Sequence, residues 1–204
     1  NYGAPQTSYT VTPTAWYKLD KTSKFTGLNP NWHSALDFNS SQNDYIAIQN
    51  SSSLTNGFSE LTVSIWANFS STGTSQQQII SKDNTSQRSW ILRKLSSGVN
   101  FLVSTDGTSA SQTLFYPNAS ITIGEWYHFV GVYDGSKLLL YVNGVLIDDS
   151  VSLTGSLPST TSDVFIGTYG YSNSYTFDGK LSNAAIYNQA ISAEDVKYLY
   201  NGGT

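Results

Sequence analysis

The segment WYHFVGVYDGSKLLLYVNGVLIDDSV, residues 126–151, decides the fold class of this chain. It is rich in β-branched and aromatic residues, which favour strands, and two turn dipeptides interrupt it, Asp134-Gly135 and Asn143-Gly144. Asp-Gly and Asn-Gly between apolar runs are strong local signals for β-hairpins. We therefore predict three consecutive antiparallel strands at residues 126–133, 137–143 and 145–151.

Short strands with turn residues between them continue on both sides of this segment. The clearest alternation of apolar and polar residues covers 61–69 and predicts a half-buried strand. Further strands are predicted at 36–38, 45–48, 78–82, 89–94, 99–104, 112–116, 164–168 and 180–187. One helix is predicted after the capping pair Ser192 and Asp195, ending at Asn201-Gly202-Gly203. The pattern predicts an all-β fold, a two-sheet antiparallel β-sandwich with one short C-terminal helix.

The domain organisation follows from length and local composition. A sandwich of about 200 residues commonly forms one domain, and the chain has 204 residues. Residues 1–14 are polar and contain Pro5 and Pro13, so we predict a linker or edge segment there and one domain over 15–204. Because the chain starts at Asn1 and has no Met, we expect it to be a mature product or a piece of a larger protein.

Composition narrows the classes of partner. Only 12% of the residues are charged, the net charge is −4, and Lys and Arg form no run, so the basic surface that nucleic acids require is missing. No apolar stretch is long enough for membrane insertion. A surface made mainly of Ser, Thr, Asn and Gln suits neutral, hydroxyl-rich partners.

Several motifs occur in an order that resembles a known family. They are ALDF at 35–38, NDYI at 43–46, LTVSIWA at 61–67, GEWYHFV at 124–130, LYVNG at 140–144, FDGKL at 177–181 and IYNQAISAEDV at 186–196. Together they resemble the LamG-like (laminin G type 3) group of the concanavalin A-like lectin and glucanase superfamily. The resemblance implies a jelly roll that binds glycans or proteins, often with one structural calcium.

The resemblance also implies where calcium would bind. In that family the ion lies where the first loop meets the closing strand, at positions held here by Asn39, Asp44, Asp178 and Asn183. Neutral side chains replace some of the usual carboxylates, which weakens a calcium site. The alternative is that these Asn and Asp residues hydrogen-bond their own loop backbone.

A loop rich in tyrosine is the predicted ligand site. Sugars present C–H faces that pack on aromatic rings and hydroxyls that pair with amides. The predicted ligand-binding residues are Tyr169, Tyr171, Asn173 and Tyr175, with Trp90 and Arg88 at the same end of the sandwich. The alternative is that some of these tyrosines close the sandwich or contact a neighbouring subunit.

Three other tryptophans and His128 are assigned to packing. Trp16, Trp66 and Trp126 are expected in the core, because a sandwich interior needs large aromatic side chains. His33 and His128 are the two histidines of the chain. Because His128 lies within an alternating strand, we expect a packed or hydrogen-bonded imidazole rather than a metal ligand or a base.

The acidic residues do not suit catalysis. Related glucanases carry clustered acids on one strand, and glycoside hydrolysis needs two nearby carboxyl groups. Here Glu60, Glu125 and Glu194 lie on separate elements, and the neighbours Asp148 and Asp149 point to opposite faces of a strand. We therefore predict that the protein is not an enzyme.

The combined prediction is a non-catalytic carbohydrate-binding or adhesion module. We expect it to be extracellular, at a cell surface or a virion exterior, with neutral glycans or a surface polysaccharide as ligands. Protein neighbours in a multivalent assembly are further expected partners. The alternative is a structural protein–protein interaction module of a surface or virion assembly that binds no sugar.

Overall fold

In a computed structural model, the described part of the chain contains fourteen short strands and two helices. The structure describes residues 15–17, 35–55, 57–71, 76–84, 87–172 and 175–201. The strands are β1 (Ala15–Tyr17), β2 (Leu36–Phe38), β3 (Ile46–Ile48), β4 (Leu61–Phe69), β5 (Gln77–Asn84), β6 (Gln87–Leu95), β7 (Gly98–Val103), β8 (Ser111–Gln112), β9 (Tyr116–Pro117), β10 (Trp126–Tyr133), β11 (Lys137–Val142), β12 (Val145–Ser152), β13 (Val164–Ile166) and β14 (Gly179–Tyr187). The helices are α1 (Ser52–Thr55) and α2 (Ala193–Tyr200), with 3-10 turns at Ser40–Gln42, Asn118–Ser120 and Gly170–Ser172.

These strands form two seven-stranded sheets. Sheet A has the order β1-β14-β4-β10-β11-β12, with β2 also paired to β14. Sheet B has the order β3-β13-β5-β6-β7-β8, with β9 also paired to β7. The pairings that the structure describes within these sheets are antiparallel. The predicted antiparallel jelly-roll sandwich is confirmed.

The main core lies between the two sheets. Phe129 of β10 and Phe101 of β7 are fully buried there, and they belong to one cluster with the inward residues of β4. Gly131 lies on the inner face of β10, and a Cβ atom at this position would lie 2.3 Å from Cγ of Phe101. The phenyl ring of Phe101 therefore occupies the space that a side chain at 131 would need.

Strand β4 differs from the prediction, because it is buried on both faces. All nine of its residues are buried. The outer face is covered by the C-terminal segment, in which the Gln189 carbonyl accepts a 2.8 Å hydrogen bond from Thr62 Oγ1 and Tyr200 stacks on Trp66 at 5.6 Å. The alternation in β4 is therefore between two buried environments rather than between core and solvent.

Helix α2 begins and ends as predicted. The Ser192 hydroxyl accepts a 3.1 Å hydrogen bond from the Asp195 backbone N–H, and the Asp195 carboxylate accepts one from the Ser192 N–H at 3.2 Å. This reciprocal pair is the predicted capping box.

In the described part of the chain, no helix is long and apolar enough to cross a membrane.

The meander of β10, β11 and β12 is confirmed, whereas the single strand predicted at 112–116 is wrong. That stretch is divided into β8 and β9. The Leu114 N–H donates to the Asp148 carboxylate at 2.8 Å, so the backbone leaves the sheet there. Pro117, at the end of β9, has no N–H to donate.

The packed imidazole of His128 is confirmed. Its side chain is 1% exposed, its Nε2 lies 2.8 Å from Ser64 Oγ, and its ring stacks on Trp66 at 5.0 Å. Burial lowers the pKa of His128 to about 3. Trp66 is buried on the outer face of sheet A, and Trp126 is only half-buried, so its assignment to the core is wrong. Residues 1–14, His33 and the Trp16 side chain lie outside the part that the structure describes.

Candidate functional site

A cleft of about 550 Å³ opens where the two sheets meet at one end of the sandwich. The pairing of β2 with β14 places Phe38 opposite Gly179, so the turn after β2 lies beside the residues that precede β14. The start of β5 supplies the third side. The lining residues are Ser40, Ser41, Ser71, Gln76, Gln77, Tyr175, Thr176 and Asp178.

The floor of the cleft is held by hydrogen bonds. Gln77 Oε1 accepts a 3.1 Å hydrogen bond from the Asp178 backbone N–H, and Gln77 Nε2 donates to the Ser71 carbonyl at 3.3 Å. Thr176 Oγ1 donates to the Ser40 carbonyl at 3.3 Å. The Gln77 amide and the Thr176 hydroxyl are therefore held in place before a ligand arrives, which lowers the entropy lost on binding.

Tyr175 supplies an exposed aromatic ring beside these polar groups. It has a left-handed backbone with φ of 59°, it is 49% exposed, and its carbonyl accepts a 2.8 Å hydrogen bond from the Gln78 N–H. Its ring packs edge-on against Tyr169, with centroids 6.1 Å apart. Backbone and ring contacts thus hold the orientation of this side chain.

Tyr169 connects the cleft to a charged group on sheet B. Its hydroxyl donates to Oδ1 of Asp83 at 3.2 Å, and Arg88 Nε donates to Oδ2 of the same carboxylate at 3.2 Å. The Asp83 side chain is fully buried, whereas that of Arg88 is 38% exposed. Burial raises the pKa of Asp83 to about 6, although Arg88 acts in the opposite direction.

The structure brings only some of the predicted ligand residues together. Tyr169, Tyr175 and Arg88 form one group around Asp83 and the cleft. Tyr171 is 65% exposed but is not among the cleft residues, because its hydroxyl donates to Asp163 and its ring packs on Phe165 at 4.8 Å.

Two other predicted ligand residues, Trp90 and Asn173, are not part of the cleft that the structure describes. Trp90 as a ligand-binding residue is wrong, since its side chain is 1% exposed and belongs to the core between the sheets. In β6 it alternates with Ile91 and shares the inner face with Leu92. Asn173 lies outside the described residues.

The predicted calcium ligands lie on three segments of the chain. Asp44 Oδ2 accepts a 3.0 Å hydrogen bond from the Asn39 N–H, and Asn39 Oδ1 accepts hydrogen bonds from the N–H and hydroxyl of Ser41 at 2.9 and 2.7 Å. Asp178 lines the neighbouring cleft. Asn183 lies farther along β14, at an irregularity between Ser182 and Ala185, and has a left-handed backbone with φ of 47°.

These contacts fit a calcium site only in part. The Asn39 and Asp44 side chains already cap their own loop, and among the described residues no group of three His, Cys, Asp or Glu could hold a metal ion. Calcium usually binds six to eight oxygens with several carboxylates among them. Calcium binding therefore stays a prediction.

Sequence reasoning missed Gln77, Asp83 and Arg93 as site residues. Arg93 shares one face of β6 with Ile91, opposite to Trp90 and Leu92, so the strand period was the signal that could have separated Arg93 from these two residues. Gln77 and Asp83 lie just beyond the ends of the strand predicted at 78–82. Their positions depend on pairings with distant parts of the chain, which strand periodicity does not specify.

Comparison with known families decides the membership of the chain. Residues 39–197 match the laminin G type 3 model, which is described as concanavalin A-like lectin/glucanases superfamily. The chain belongs to this superfamily. The resemblance carried by the sequence motifs is confirmed, and the matched range contains the cleft and the Asp83 group.

The fold of this concanavalin A-like chain is similar to that of several solved structures. The binding domain of Paraclostridial Mosquitocidal Protein 1 is 16% identical with a TM-score of 0.67, covering 93% of this chain and 46% of its own. The receptor binding domain of botulinum neurotoxin D is 15% identical with a TM-score of 0.69, covering 92% and 47%. This chain thus spans slightly less than half the length of these two solved chains. No curated protein matches it by sequence.

Calcium binding to this concanavalin A-like domain predicts a specific thermal shift. A ligand that binds only the native state adds about 1.4 kcal/mol when its concentration is ten times its Kd. We expect the Tm in 10 mM CaCl2 to exceed the Tm in EDTA by a few degrees, and Asp44→Asn to remove the difference. Asp149→Asn, on the exposed face of β12, is the control that should retain it. A Tm that does not change over millimolar concentrations of calcium would contradict the prediction that this domain binds the ion.

Proposed function

We propose that this chain is a non-catalytic, extracellular binding module that recognises glycans at the cleft beside Tyr175. In this proposal it is displayed at a cell surface or a virion exterior as part of a larger protein. A sugar ring packs its C–H face on the Tyr175 ring, and its hydroxyls pair with the hydroxyl and amide groups of the cleft.

The observation that carries this proposal is the composition of the cleft. Of its eight lining residues, Asp178 is the one with a formal charge at neutral pH, and the others offer hydroxyl, amide or aromatic groups. Glycan sites combine one flat apolar surface with a few polar groups held in place. Tyr175 and Gln77 meet both requirements, since contacts with other residues hold each side chain.

The arrangement of acids favours binding over hydrolysis. Glycoside hydrolysis needs two carboxyl groups about 5 to 10 Å apart on either side of the bond to be cleaved. Asp178 is the single carboxylic acid among the cleft residues, and Glu60, on the segment before β4, accepts a hydrogen bond from the Ala190 N–H at 3.1 Å. These positions support a non-catalytic role.

A protein ligand is the second candidate. One solved relative is the binding domain of botulinum neurotoxin DC in complex with rat synaptotagmin II, which is 14% identical with a TM-score of 0.60 and covers 78% of this chain and 40% of its own. That binding domain thus has a protein partner in its complex. Exposed Tyr171 and Tyr45, at 65% and 39%, are the side chains that such a partner would cover.

The Tyr175→Ala variant tests the glycan proposal. On an array of surface polysaccharides and oligosaccharides, we expect the unmodified protein to bind a subset of glycans. Removal of the ring should lower the affinity for those glycans about tenfold, which corresponds to ~1.4 kcal/mol. Tyr175→Phe should retain most of the affinity, because the stacking surface remains.

Tyr45→Ala is the matched control, since this residue is also exposed but does not line the cleft. Its affinity for the same glycans should not change. If no glycan binds while the protein forms a stable complex with another protein, the protein-ligand candidate replaces the glycan proposal. Equal losses in Tyr175→Ala and Tyr45→Ala would place the binding site elsewhere.

A further inference from the structure

The outer face of sheet B places two arginines near a single aspartate. Arg88 and Arg93 both lie on β6, and both contribute to the electrostatic environment of Asp83 on β5. The two oxygens of Asp83 already accept hydrogen bonds from Tyr169 and Arg88. This group therefore carries one more positive charge than negative charge.

Arg93 is the guanidinium without an acidic partner among the described residues. Its Nε lies 3.4 Å from Asn100 Oδ1, and its Nη2 donates to Gln112 Oε1 at 3.1 Å, so its neighbours are neutral amides. It is half-buried. Burial, followed by the nearby charge of Arg88, lowers the pKa of Arg93. Because Arg93 is half-buried, water would weaken its attraction to a bound anion less than at a fully exposed position. The anion would pair with a guanidinium that two amides already hold in place.

Gln78 provides an independent observation at the same place. It lies directly opposite Arg93 in the β5–β6 register, and opposed residues of antiparallel strands project to the same face. Gln78 is 0% exposed, and neither its Oε1 nor its Nε2 has a hydrogen-bond partner within the structure. A buried amide without partners costs free energy, so such groups are uncommon unless a ligand or water satisfies them.

These positions also adjoin the glycan cleft. The Gln78 N–H donates to the Tyr175 carbonyl at 2.8 Å, and Arg93 lies close enough to Tyr169 and Tyr175 to interact with both electrostatically. Tyr175 is therefore the residue that links the cleft to Gln78 and Arg93.

We propose that Arg93 and Gln78 form a subsite for the carboxylate of an acidic sugar, such as a uronic or sialic acid, in the glycan that packs on Tyr175. This inference rests on the proposed function. The composition of the chain predicts neutral glycans as ligands, whereas this inference assigns a glycan with at least one carboxylate. The planar guanidinium of Arg93 pairs with both carboxylate oxygens, and the Gln78 amide pairs with the adjacent hydroxyl.

The test compares acidic polymers with their neutral counterparts. The probes are polygalacturonate, hyaluronate and polysialic acid, each paired with its carboxyl-reduced form, and dextran sulfate as a polyanion without carboxylates. We expect the unmodified protein to bind at least one carboxylated probe about tenfold or more tightly than the carboxyl-reduced form. Equal affinity for both forms, or equal affinity for dextran sulfate, overturns the carboxylate subsite.

Three variants locate the effect. Arg93→Gln should lower the affinity for the carboxylated probe about tenfold and leave that for its reduced form unchanged. Gln78→Leu should lower the same affinity while its Tm stays the same or rises, because it removes an unpaired buried amide rather than a structural contact. Lys180→Gln, which removes an exposed cation paired with Asp37 on sheet A, is the control that should change neither affinity.

The failure of this inference is distinguishable from the failure of the proposed function. Glycan binding that needs Tyr175 but is unaffected by Arg93→Gln overturns the carboxylate subsite and leaves the glycan module in place. An absence of binding to every acidic and neutral probe overturns both. A loss of binding in Lys180→Gln equal to that in Arg93→Gln shows a general charge effect and also overturns the subsite.

Discussion

The Gly131→Val variant is expected to lose about 3 kcal/mol or more of its free energy of unfolding. Gly131 has no left-handed backbone, so strand geometry alone would accept another residue. The obstacle is the partner sheet, since a Cβ at 131 would lie 2.3, 2.4 and 2.8 Å from ring atoms of Phe101. Phe101 is fully buried in a densely packed core, and overpacking of such a core costs about 1–3 kcal/mol, occasionally more.

Urea denaturation followed by circular dichroism gives the measurement, with the midpoint lowered and the slope m unchanged. The double variant Gly131→Val with Phe101→Leu is the control, because loss of the ring frees the space that valine needs. We expect the double variant to be more stable than Gly131→Val alone. A Gly131→Val protein as stable as the original would show that the two sheets are not in contact at this point.

Between pH 7 and pH 4.5, protonation of His128 is expected to account for a loss of about 2.5 kcal/mol of stability. The buried imidazole has a pKa of about 3, far below the ~6.5 of an unfolded histidine. In this pH interval the unfolded chain binds a proton that the folded chain does not. The contribution is therefore complete above pH 6.5 and decreases as the pH falls toward 3.

Asp83 acts in the opposite direction, so the test must isolate His128. The raised pKa of Asp83 makes the folded chain bind a proton before the unfolded chain does, which adds stability as the pH falls through 6. We therefore compare the original protein with His128→Gln, whose amide can still pair with Ser64. Between pH 7 and 4.5 the free energy of unfolding should decrease in both proteins, and the decrease should be about 2.5 kcal/mol smaller in His128→Gln than in the original protein. Identical pH dependences would contradict a buried neutral imidazole.

Features set by neighbouring residues were predictable from the sequence. Asp134-Gly135 and Asn143-Gly144 specify hairpins because the turn conformation is a local property, and the meander of β10, β11 and β12 has nearly the predicted bounds. Ser192 and Asp195 specify the start of α2 for the same reason. The ordered motifs added the family, which strand periodicity alone does not identify.

Features set by distant contacts were not predictable. The burial of the second face of β4 depends on the packing of Tyr200 and Gln189, more than 120 residues away, against Trp66 and Thr62. The cleft depends on the pairing of β2 with β14, and the Asp83 group depends on a loop that reaches β5 from residue 169. Trp90 was misplaced because aromatic composition does not reveal which face of β6 is turned inward.

The mutual stacking of Trp66, His128 and Tyr200 gives the C-terminal helix an optical signature. The indole is 4% exposed, and the ring of Tyr200 covers it from α2 at 5.6 Å. Elements held mainly by one face can open locally while the rest of the domain stays folded. In this protein such an opening uncovers the indole of Trp66, so undocking of the helix contributes a change in Trp66 fluorescence while the core between the sheets stays folded.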